Sequence, residues 1–273
     1  MLTITEQEFN QLASFIHEHY GIRLKKEKKT LVLGRLGNTI TRQGFQNFSD
    51  YYQHLMADQT GKATFELLDK ITTNHTFFMR EPQHFAFFKE EILPWMQQTA
   101  TDKDLRIWSA GCSKGQEPYT LAMLLKDYFG PGFHQWKAEI LATDISSAAL
   151  QSANEGTYSA EEVTGLPKYW TKKYFSRGSD GKYTVKEELK QQVIFRNFNL
   201  MNPSYPFKKK FHVIFCRNVM IYFDTATKKQ LIQKFYHQLQ PGGYLLIGHS
   251  ETLGNDRIGF HYIRPATYRR GLK

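Results

Sequence analysis

The chain has 273 residues, of which 41% are hydrophobic and 23% charged, with two cysteines and a formal net charge of +10. This is the composition of an ordinary globular protein with enough apolar material for one large domain or two smaller ones. The start does not resemble a signal peptide, no apolar run is long enough to span a bilayer, and two cysteines make neither a disulfide framework nor a metal site. We therefore expect a cytoplasmic protein with reduced cysteines.

Basic residues are concentrated in the last quarter of the chain. Residues 203–273 contain twelve Lys and Arg against three Asp and Glu, whereas the two signs nearly balance before that point. A nucleic acid or an acidic protein partner would explain this excess, and so would a solvated basic face without any partner.

Residues 1–70 have the pattern of a small helical bundle. A capping box at Thr5 and Glu8 opens an amphipathic helix, and Gly21 ends it. The same periodicity predicts further helices over 31–40, 49–56 and 64–71. No catalytic group of residues occurs in this part, so we interpret it as an N-terminal docking domain, with residues 71–273 forming the second domain.

The segment 72–82 combines polar and aromatic residues and stops at a proline. Asn74, Thr76 and Arg80 alternate with aromatic side chains such as Phe77. Structurally the segment could be only a hinge and a helix start, with Arg80 paired to Glu81. An arginine beside aromatic rings also suits a pocket wall that holds a carboxylate or a planar ring. A helix over 83–96 follows.

The central unit of the chain is a predicted strand over 105–109, a turn containing Gly111 and Gly115, and a helix over 116–128. A glycine-bearing turn between strand and helix lets a ligand approach the backbone, and the helix N-terminus supplies free N–H donors. We expect the first βα unit of a doubly wound α/β sheet, whose ligands bind at the carboxyl ends of the strands. The glycines lie four apart, so this is not the dinucleotide fingerprint.

Glu117 places a carboxylate in the first turn of that helix. A carboxylate there would repel a phosphate but suits a cationic ligand, so a sulfonium or an amine is favoured.

A second predicted strand, over 137–144, ends in Asp144. At this position α/β proteins often hold a ribose diol, because a carboxylate accepts from both hydroxyls. The alternative is that Asp144 only caps the helix over 146–154. The order and spacing of Gly111, Glu117 and Asp144 favour the ribose interpretation.

Residues 156–190 interrupt the α/β alternation with turn signals and β-type residues, which predicts a small antiparallel insertion. Its aromatic residues Tyr169, Trp170 and Tyr174 are expected to be exposed for recognition or to form the core of the insertion.

The α/β pattern then resumes to the end of the chain. Strands are predicted over 192–197, 211–216 and 244–248, a helix over 225–240 ended by Pro241, and a final strand or hairpin over 260–270. Cys112 and Cys216 both follow strand ends, so both should border one cleft.

Four motifs in this order resemble the chemotaxis receptor methyltransferases of the CheR type. They are Thr-Thr-Asn-His-Thr-Phe-Phe-Met-Arg-Glu at 72–81, Ser-Ala-Gly-Cys-Ser-Lys-Gly-Gln-Glu-Pro-Tyr at 109–119, Ala-Thr-Asp-Ile at 142–145 and Cys-Arg-Asn-Val-Met-Ile-Tyr-Phe at 216–223. The resemblance implies a Rossmann-like S-adenosylmethionine-dependent methyltransferase domain with an N-terminal all-helical domain and a small antiparallel β insertion. It also implies methyl transfer from S-adenosylmethionine to glutamate side chains of methyl-accepting chemotaxis receptors, forming methyl esters and S-adenosylhomocysteine for sensory adaptation.

The resemblance also implies which residues form the site. The cofactor-binding positions that match are Asn74, Thr76, Arg80, Glu117, Asp144, Asn199, Leu200, Arg217 and Asn218. Arg80 and Tyr222 would lie nearest the methyl group and act on the substrate glutamate. A glutamate carboxylate is already ionised near neutral pH, so the reaction needs no general base, and we expect no metal. Alignment of the reacting atoms in a dry pocket should supply most of the acceleration.

Two other functions were weighed. Asn202-Pro-Ser-Tyr205 resembles a signature of methyltransferases that act on base amino groups, but it precedes the fourth strand instead of following it, so we interpret it as a turn. A non-catalytic receptor-docking module is disfavoured because every cofactor position keeps a suitable side chain.

The expected partner is the acidic, helical cytoplasmic region of the receptors. Arg23, Arg35 and Arg42 could lie along such a helix. Some members of the family also bind a receptor tail peptide through the insertion, but this insertion has few glycines, which disfavours tail binding. We expect a monomer with no nucleic-acid partner and no membrane insertion.

Overall fold

The computed structural model describes residues 2–254 and 257–272. The helices are α1 (Glu6–Tyr20), α2 (Lys29–Arg42), α3 (Phe48–Ala57), α4 (Lys62–Ile71), α5 (Pro82–Phe87), α6 (Leu93–Thr99), α7 (Gln116–Phe129), α8 (Ser147–Glu155), α9 (Lys168–Tyr174), α10 (Glu187–Lys190) and α11 (Thr225–Gln238). The strands are β1 (Ile107–Ala110), β2 (Ile140–Asp144), β3 (Thr157–Tyr158), β4 (Phe175–Arg177), β5 (Tyr183–Val185), β6 (Val193–Asn197), β7 (Phe211–Cys216), β8 (Leu239–Ile247), β9 (Phe260–Arg264) and β10 (Thr267–Arg270).

The first four helices form a bundle with its own apolar core. The predicted capping box begins α1, since the Thr5 side chain accepts from the Glu8 backbone and the Glu8 carboxylate accepts from the Thr5 backbone. Gly21 ends α1 in the left-handed conformation with φ of 69°. The fully buried side chains of the bundle include Ile16, Leu36 and Leu67. All four predicted helices are therefore confirmed.

The second part of the chain is built on a seven-stranded sheet in the order β6-β2-β1-β7-β8-β10-β9. The five strands from β6 to β8 are parallel, and every residue of β1 and β7 is buried. From β1 the chain crosses to β2 and later to β6 on one side of β1. It then returns to β7 on the other side of β1. The strand order thus reverses between β1 and β7, which is where doubly wound sheets open a ligand cleft.

The C-terminal end of the sheet differs in detail from the prediction. Helix α11 ends at Gln238, and β8 begins at Leu239, so the strand passes through Pro241 and both following glycines. A residue preceding proline disfavours helical backbone, which explains why the helix ends before Gln240. Strands β9 and β10 form the antiparallel hairpin that was one of the two predicted alternatives.

The predicted insertion is a three-stranded antiparallel sheet in the order β3-β5-β4, with α9 and α10 beside it. Trp170 and Tyr174 are only 3% and 1% exposed, so the predicted alternative of core residues holds for these two, whereas Tyr169 is 55% exposed. The polar tips of all three rings donate to the Asp127 carboxylate at 2.6 Å. Asp127 lies in the last turn of α7, and this acceptor allows the rings to be buried.

The helical bundle packs against the carboxyl-end edge of the main sheet. The Ser146 hydroxyl donates to Asp69 of α4 at 2.7 Å, and His17 of α1 lies 2.7 Å from Asp224, the residue that caps α11. The Arg23 backbone N–H donates to the Tyr222 carbonyl at 2.8 Å. These contacts close one side of the cleft described below. Within the part of the chain that the structure describes, none of the helices has the length and apolar character needed to cross a membrane.

Candidate active site

A cleft of about 1390 Å³, counting the space at its open mouth, lies at the carboxyl ends of β1, β2 and β7. Its walls come from the turn after β1, the linker 72–80, the loop after β7 and the helical bundle. The predicted site residues that line it are Asn74, Thr76, Arg80, Glu117, Asp144, Asn199, Leu200, Arg217, Asn218 and Tyr222, together with Arg23 and Arg35. The structure therefore gathers residues from six separate parts of the sequence in one cavity.

The turn after β1 is shaped by two glycines with positive φ. Gly111 has φ of 88°, and a Cβ there would fall on the Val219 side chain. Gly115 has φ of 90° and sits against Ala153. The Gly111 backbone N–H donates to the Thr143 carbonyl at 2.8 Å. A side chain at either glycine would push the turn away from its neighbours, so glycine keeps this wall close to the ends of β2 and β7.

Asp144 ends β2 and lines the cleft, where it is 9% exposed. Its carboxylate accepts from the Ser113 backbone at 2.7 Å and from the Ser146 backbone at 2.9 Å. Burial raises the pKa of Asp144, against the lowering effect of these backbone donors. The alternative that Asp144 caps α8 is wrong, because the cap is Ser146, whose hydroxyl accepts from the Ala149 backbone.

Glu117 is paired with Arg217. One carboxylate oxygen accepts from the Ser109 hydroxyl at 2.6 Å, and the other lies 3.0 Å from Arg217 Nη1. Arg217 also donates to the Glu81 carboxylate at 3.1 Å and to the Arg80 carbonyl. The Arg217 side chain is only 3% exposed. Its guanidinium thus joins the linker to the βα unit of the cleft.

Glu81 was not identified as a site residue from the sequence. The suggested Arg80–Glu81 pair is wrong. Arg80 donates to the His75 carbonyl at 2.9 Å, and the Glu81 carboxylate forms its ion pair with Arg217. Burial acts to raise the pKa of Glu81, but the hydrogen bond with His84 and the charge of Arg217 lower it overall. The signal was present, because Glu81 is the last residue of the 72–81 motif.

Glu81, His84 and His249 hold potential metal-ligand atoms within 4.8 Å of one another. The Glu81 carboxylate, however, already accepts from Arg217 and, at 3.2 Å, from the His249 backbone. A cation would have to displace a buried guanidinium from its ion pair. The geometry therefore favours a polar network around Arg217 over a metal centre.

Two buried polar atoms of the cleft wall have no hydrogen-bond partner among the residues that the structure describes. They are Ser113 Oγ and Asn218 Oδ1. The neighbouring wall is apolar and includes Phe198, Leu200 and Val219. Buried polar atoms are normally paired, so these two atoms mark where a polar ligand would bind beside an apolar group.

Asn74 and Asn199 are already engaged by the protein itself. The Asn74 amide donates to the Ser146 hydroxyl at 3.3 Å. The Asn199 amide donates to the His19 carbonyl at 2.8 Å, and its oxygen accepts from the Met201 backbone. Both side chains therefore also join the cleft wall to neighbouring elements.

The mouth of the cleft carries Arg80 and Tyr222. The Arg80 guanidinium lies 5.8 Å from the centre of the Phe77 ring, and Tyr222 is 37% exposed. Cys112 lines the cleft as expected, but Cys216 lies in the core between β7 and α11, so the expectation that both border the cleft was wrong for Cys216. Both cysteines are free thiols.

The three predicted docking arginines have different surroundings. Arg23 lines the cleft mouth and is exposed. The Arg35 guanidinium donates to the Ile71 carbonyl at 2.7 Å and to the Thr72 carbonyl at 3.2 Å, so it ties α2 to the linker. Arg42 is exposed in the last turn of α2, away from the residues of the cleft wall.

The chain is similar throughout its length to one family of enzymes. Residues 7–72 match the family described as "CheR methyltransferase, all-alpha domain", and residues 74–268 match "CheR methyltransferase, SAM binding domain". The chemotaxis protein methyltransferase of Borreliella burgdorferi is 45% identical over 98% of this chain and 96% of its own. Chemotaxis protein methyltransferase 2 of Vibrio cholerae is 34% identical over 96% and 91% of the two chains, and the Salmonella typhimurium enzyme 34% over 93% and 86%.

Proposed function

Because the chain belongs to the CheR family of chemotaxis protein methyltransferases, we propose that the cleft binds S-adenosylmethionine and that Arg80 and Tyr222 hold the substrate glutamate. The protein is an S-adenosylmethionine-dependent methyltransferase that modifies glutamate side chains of methyl-accepting chemotaxis receptors. The products are glutamate methyl esters and S-adenosylhomocysteine.

The residues of the cleft fit this cofactor. The Asp144 carboxylate would accept from the ribose hydroxyls, and Glu117 would accept from the amino group of the methionine part. The apolar wall at Leu200 suits adenine, and the unpaired atoms of Ser113 and Asn218 offer it polar contacts. When bound, S-adenosylmethionine supplies a methyl carbon attached to a sulfonium leaving group.

The role of the protein in the reaction is to position the reacting groups. The Arg80 guanidinium would bind the glutamate carboxylate, and the Tyr222 hydroxyl would donate to one of its oxygens. The carboxylate is ionised at neutral pH, so no side chain has to remove a proton. Because attack joins an anion to a cation, charge disperses in the transition state, and a cleft that excludes water favours that change. The proposal is carried by one observation: Arg80 and Tyr222 line the same cleft as Asp144 and Glu117.

We propose that the parts of the chain have different roles. Residues 1–70 would dock the receptor, residues 71–273 would carry out the transfer, and the insertion at about 156–190 would stabilise α7. The partner would be the acidic helical region of the receptor, and the enzyme would act as a monomer without a metal ion. The geometry gives no support to action on nucleic acid, because Tyr205 of the Asn202-Pro-Ser-Tyr205 segment packs 5.7 Å from the Trp108 ring and donates to the Leu200 carbonyl.

Calorimetric titration tests the cofactor site. Wild-type protein should bind S-adenosylmethionine and S-adenosylhomocysteine with micromolar affinity, and Asp144→Ala should lose that binding. Asp180→Ala, at an exposed turn of the insertion, is the matched control and should bind like wild type. Absence of binding by the wild type would contradict the proposal.

Methyl-ester formation on a receptor cytoplasmic fragment tests the substrate residues. Tyr222→Phe removes only the hydroxyl and should lower kcat about ten-fold if the hydroxyl donates in the transition state. An unchanged kcat would remove Tyr222 from the mechanism.

A further inference from the structure

The Glu251 carboxylate binds three backbone amides between two loops at the carboxyl end of the sheet. One oxygen accepts from the Gly248 backbone at 2.5 Å and from the Asn218 backbone at 2.9 Å. The other oxygen accepts from the Ile221 backbone at 3.1 Å. A single half-buried side chain after β8 therefore satisfies two amides of the loop 217–222, which follows β7.

This loop carries three of the residues assigned to the site. Arg217 and Asn218 begin it, and Tyr222 ends it. Asn218 adopts the left-handed conformation with φ of 58°, which is uncommon for residues other than glycine although asparagine tolerates it better than most. Without Glu251, the Asn218 and Ile221 amides would lack their acceptor and the loop would lose the contact that fixes its path.

Glu251 is itself held in place. Its own backbone N–H donates to the Gly248 carbonyl at 2.9 Å, which closes a turn directly after β8. A Cβ at Gly248 would lie 2.8 Å from the Asn218 backbone nitrogen. The two loops therefore approach each other closely only because residue 248 is glycine, and the carboxylate spans this approach.

We propose that Glu251 is a positioning residue for methyl transfer, holding the loop 217–222 so that Tyr222 stays at the cleft mouth. This inference rests on the role proposed for Tyr222. Glutamate suits the position because all its neighbours are donors, whereas the amide of a glutamine would direct its own N–H groups toward at least one of them.

The same loop also contacts the helical bundle. The Tyr222 carbonyl accepts from the Arg23 backbone, and Phe223 pairs with Ile22 in an isolated antiparallel bridge. The end of the loop at Tyr222 is therefore held from the sheet side by Glu251 and from the bundle side by Arg23.

The test is the rate of methyl-ester formation on a receptor cytoplasmic fragment, with Kd for S-adenosylhomocysteine measured by calorimetry. Glu251→Gln should lower kcat about ten-fold, the expected effect of unpairing a buried donor, and should change Kd by a smaller factor. Glu90→Gln, at an exposed position between α5 and α6, should match wild type in both. If Glu251 had only a structural role, Glu251→Gln would lower the thermal stability, and kcat and Kd would be affected to the same extent.

A double variant shows whether Glu251 acts through Tyr222. If it does, Glu251→Gln combined with Tyr222→Phe should be no slower than the slower single variant, because both remove the same positioned hydroxyl. Multiplication of the two single effects would overturn the inference, as would a Glu251→Gln variant with wild-type kcat.

The controls separate this inference from the proposed function. A slow Tyr222→Phe beside a fast Glu251→Gln would leave the function standing and refute the positioning role. A fast Tyr222→Phe would refute the role of Tyr222 itself. If Glu251→Gln does not fold, Glu251→Asp replaces it: the shorter side chain should not reach both loop amides, and wild-type kcat in that variant would also refute the inference.

Discussion

Arg217 Nη1 lies 3.0 Å from Glu117 Oε2, in an ion pair in which the arginine side chain is 3% exposed and the glutamate side chain 14%. The same guanidinium reaches Glu81 at 3.1 Å. One cation therefore balances two partly buried carboxylates that come from the linker and from the first turn of α7. Two carboxylates against one guanidinium leave a net negative charge at this end of the cleft. That charge suits a ligand with a sulfonium and an amine.

Removal of Arg217 should destabilise the protein strongly. Arg217→Met leaves the partly buried Glu81 and Glu117 carboxylates without their cation, and the free energy of unfolding should fall by about 3–5 kcal/mol, as for other broken buried pairs. Urea unfolding followed by circular dichroism measures this. Arg177→Met, at an exposed position of the insertion, is the control and should unfold like wild type. Equal stability of Arg217→Met and wild type would show that the pair is not an important stabilising contact.

Asp127 should anchor the insertion to α7. Asp127→Ala leaves the Trp170 and Tyr174 donors without their acceptor, so the free energy of unfolding should fall by about 2–6 kcal/mol, at about 1–3 kcal/mol for each buried donor. Differential scanning calorimetry measures the loss. Asp180→Ala, also within reach of a lysine but 59% exposed, should change little. An Asp127→Ala protein with wild-type Tm would mean that the insertion is held by its apolar contacts alone.

The effect of Asp127 should also depend on pH. Burial acts to raise its pKa, but hydrogen bonds from Lys173, Tyr169, Tyr174 and Trp170 lower it from 3.8 to about 2. Because the pKa is lowered in the folded state, the stabilising contribution is present above about pH 4 and is lost as the pH falls toward 2. The stability difference between wild type and Asp127→Asn should therefore shrink over that range. A difference independent of pH would contradict this assignment.

Receptor docking should depend on Arg42 more cleanly than on Arg35. Arg35 holds the linker through backbone carbonyls, so its charge reversal would also disturb the cleft wall. Arg42→Glu changes an exposed charge and should raise KM for a receptor fragment several-fold at low ionic strength, with Kd for S-adenosylhomocysteine unchanged. Lys89→Glu, on the exposed face of the helix after the linker, is the charge-matched control. An unchanged KM in Arg42→Glu would remove this residue from the docking surface.

The sequence predicted those parts of the structure that depend on local pattern. The capping box at Thr5, the glycine turn at Gly111 and the strand that ends at Asp144 all carry short-range signals, and all were identified. The contacts of Glu81 and Glu251 are different in kind. Each binds at least one partner more than thirty residues away along the chain, Arg217 for Glu81 and Asn218 for Glu251, and nothing in the neighbouring residues indicates that partner.

The burial of the aromatic residues in the insertion also could not be predicted from local sequence. A cluster of tryptophan and tyrosine in a loop-rich segment is equally consistent with an exposed patch and with a small core. What decided the outcome was a single acceptor, Asp127, on a helix that begins eleven residues before it. Helical periodicity places Asp127 on a polar position of α7, and only the fold shows that this position faces Trp170.

The backbone pairing of Arg23 with Tyr222 has a consequence for hybrid enzymes made from related methyltransferases. An exchange of the helical bundle alone would also exchange one wall of the cleft, because Tyr20, Ile22 and Arg23 line it beside the tyrosine. The exchange would then change receptor choice and cofactor binding at the same time. A hybrid that keeps the two separate would have to carry the strip 222–224 over with its bundle.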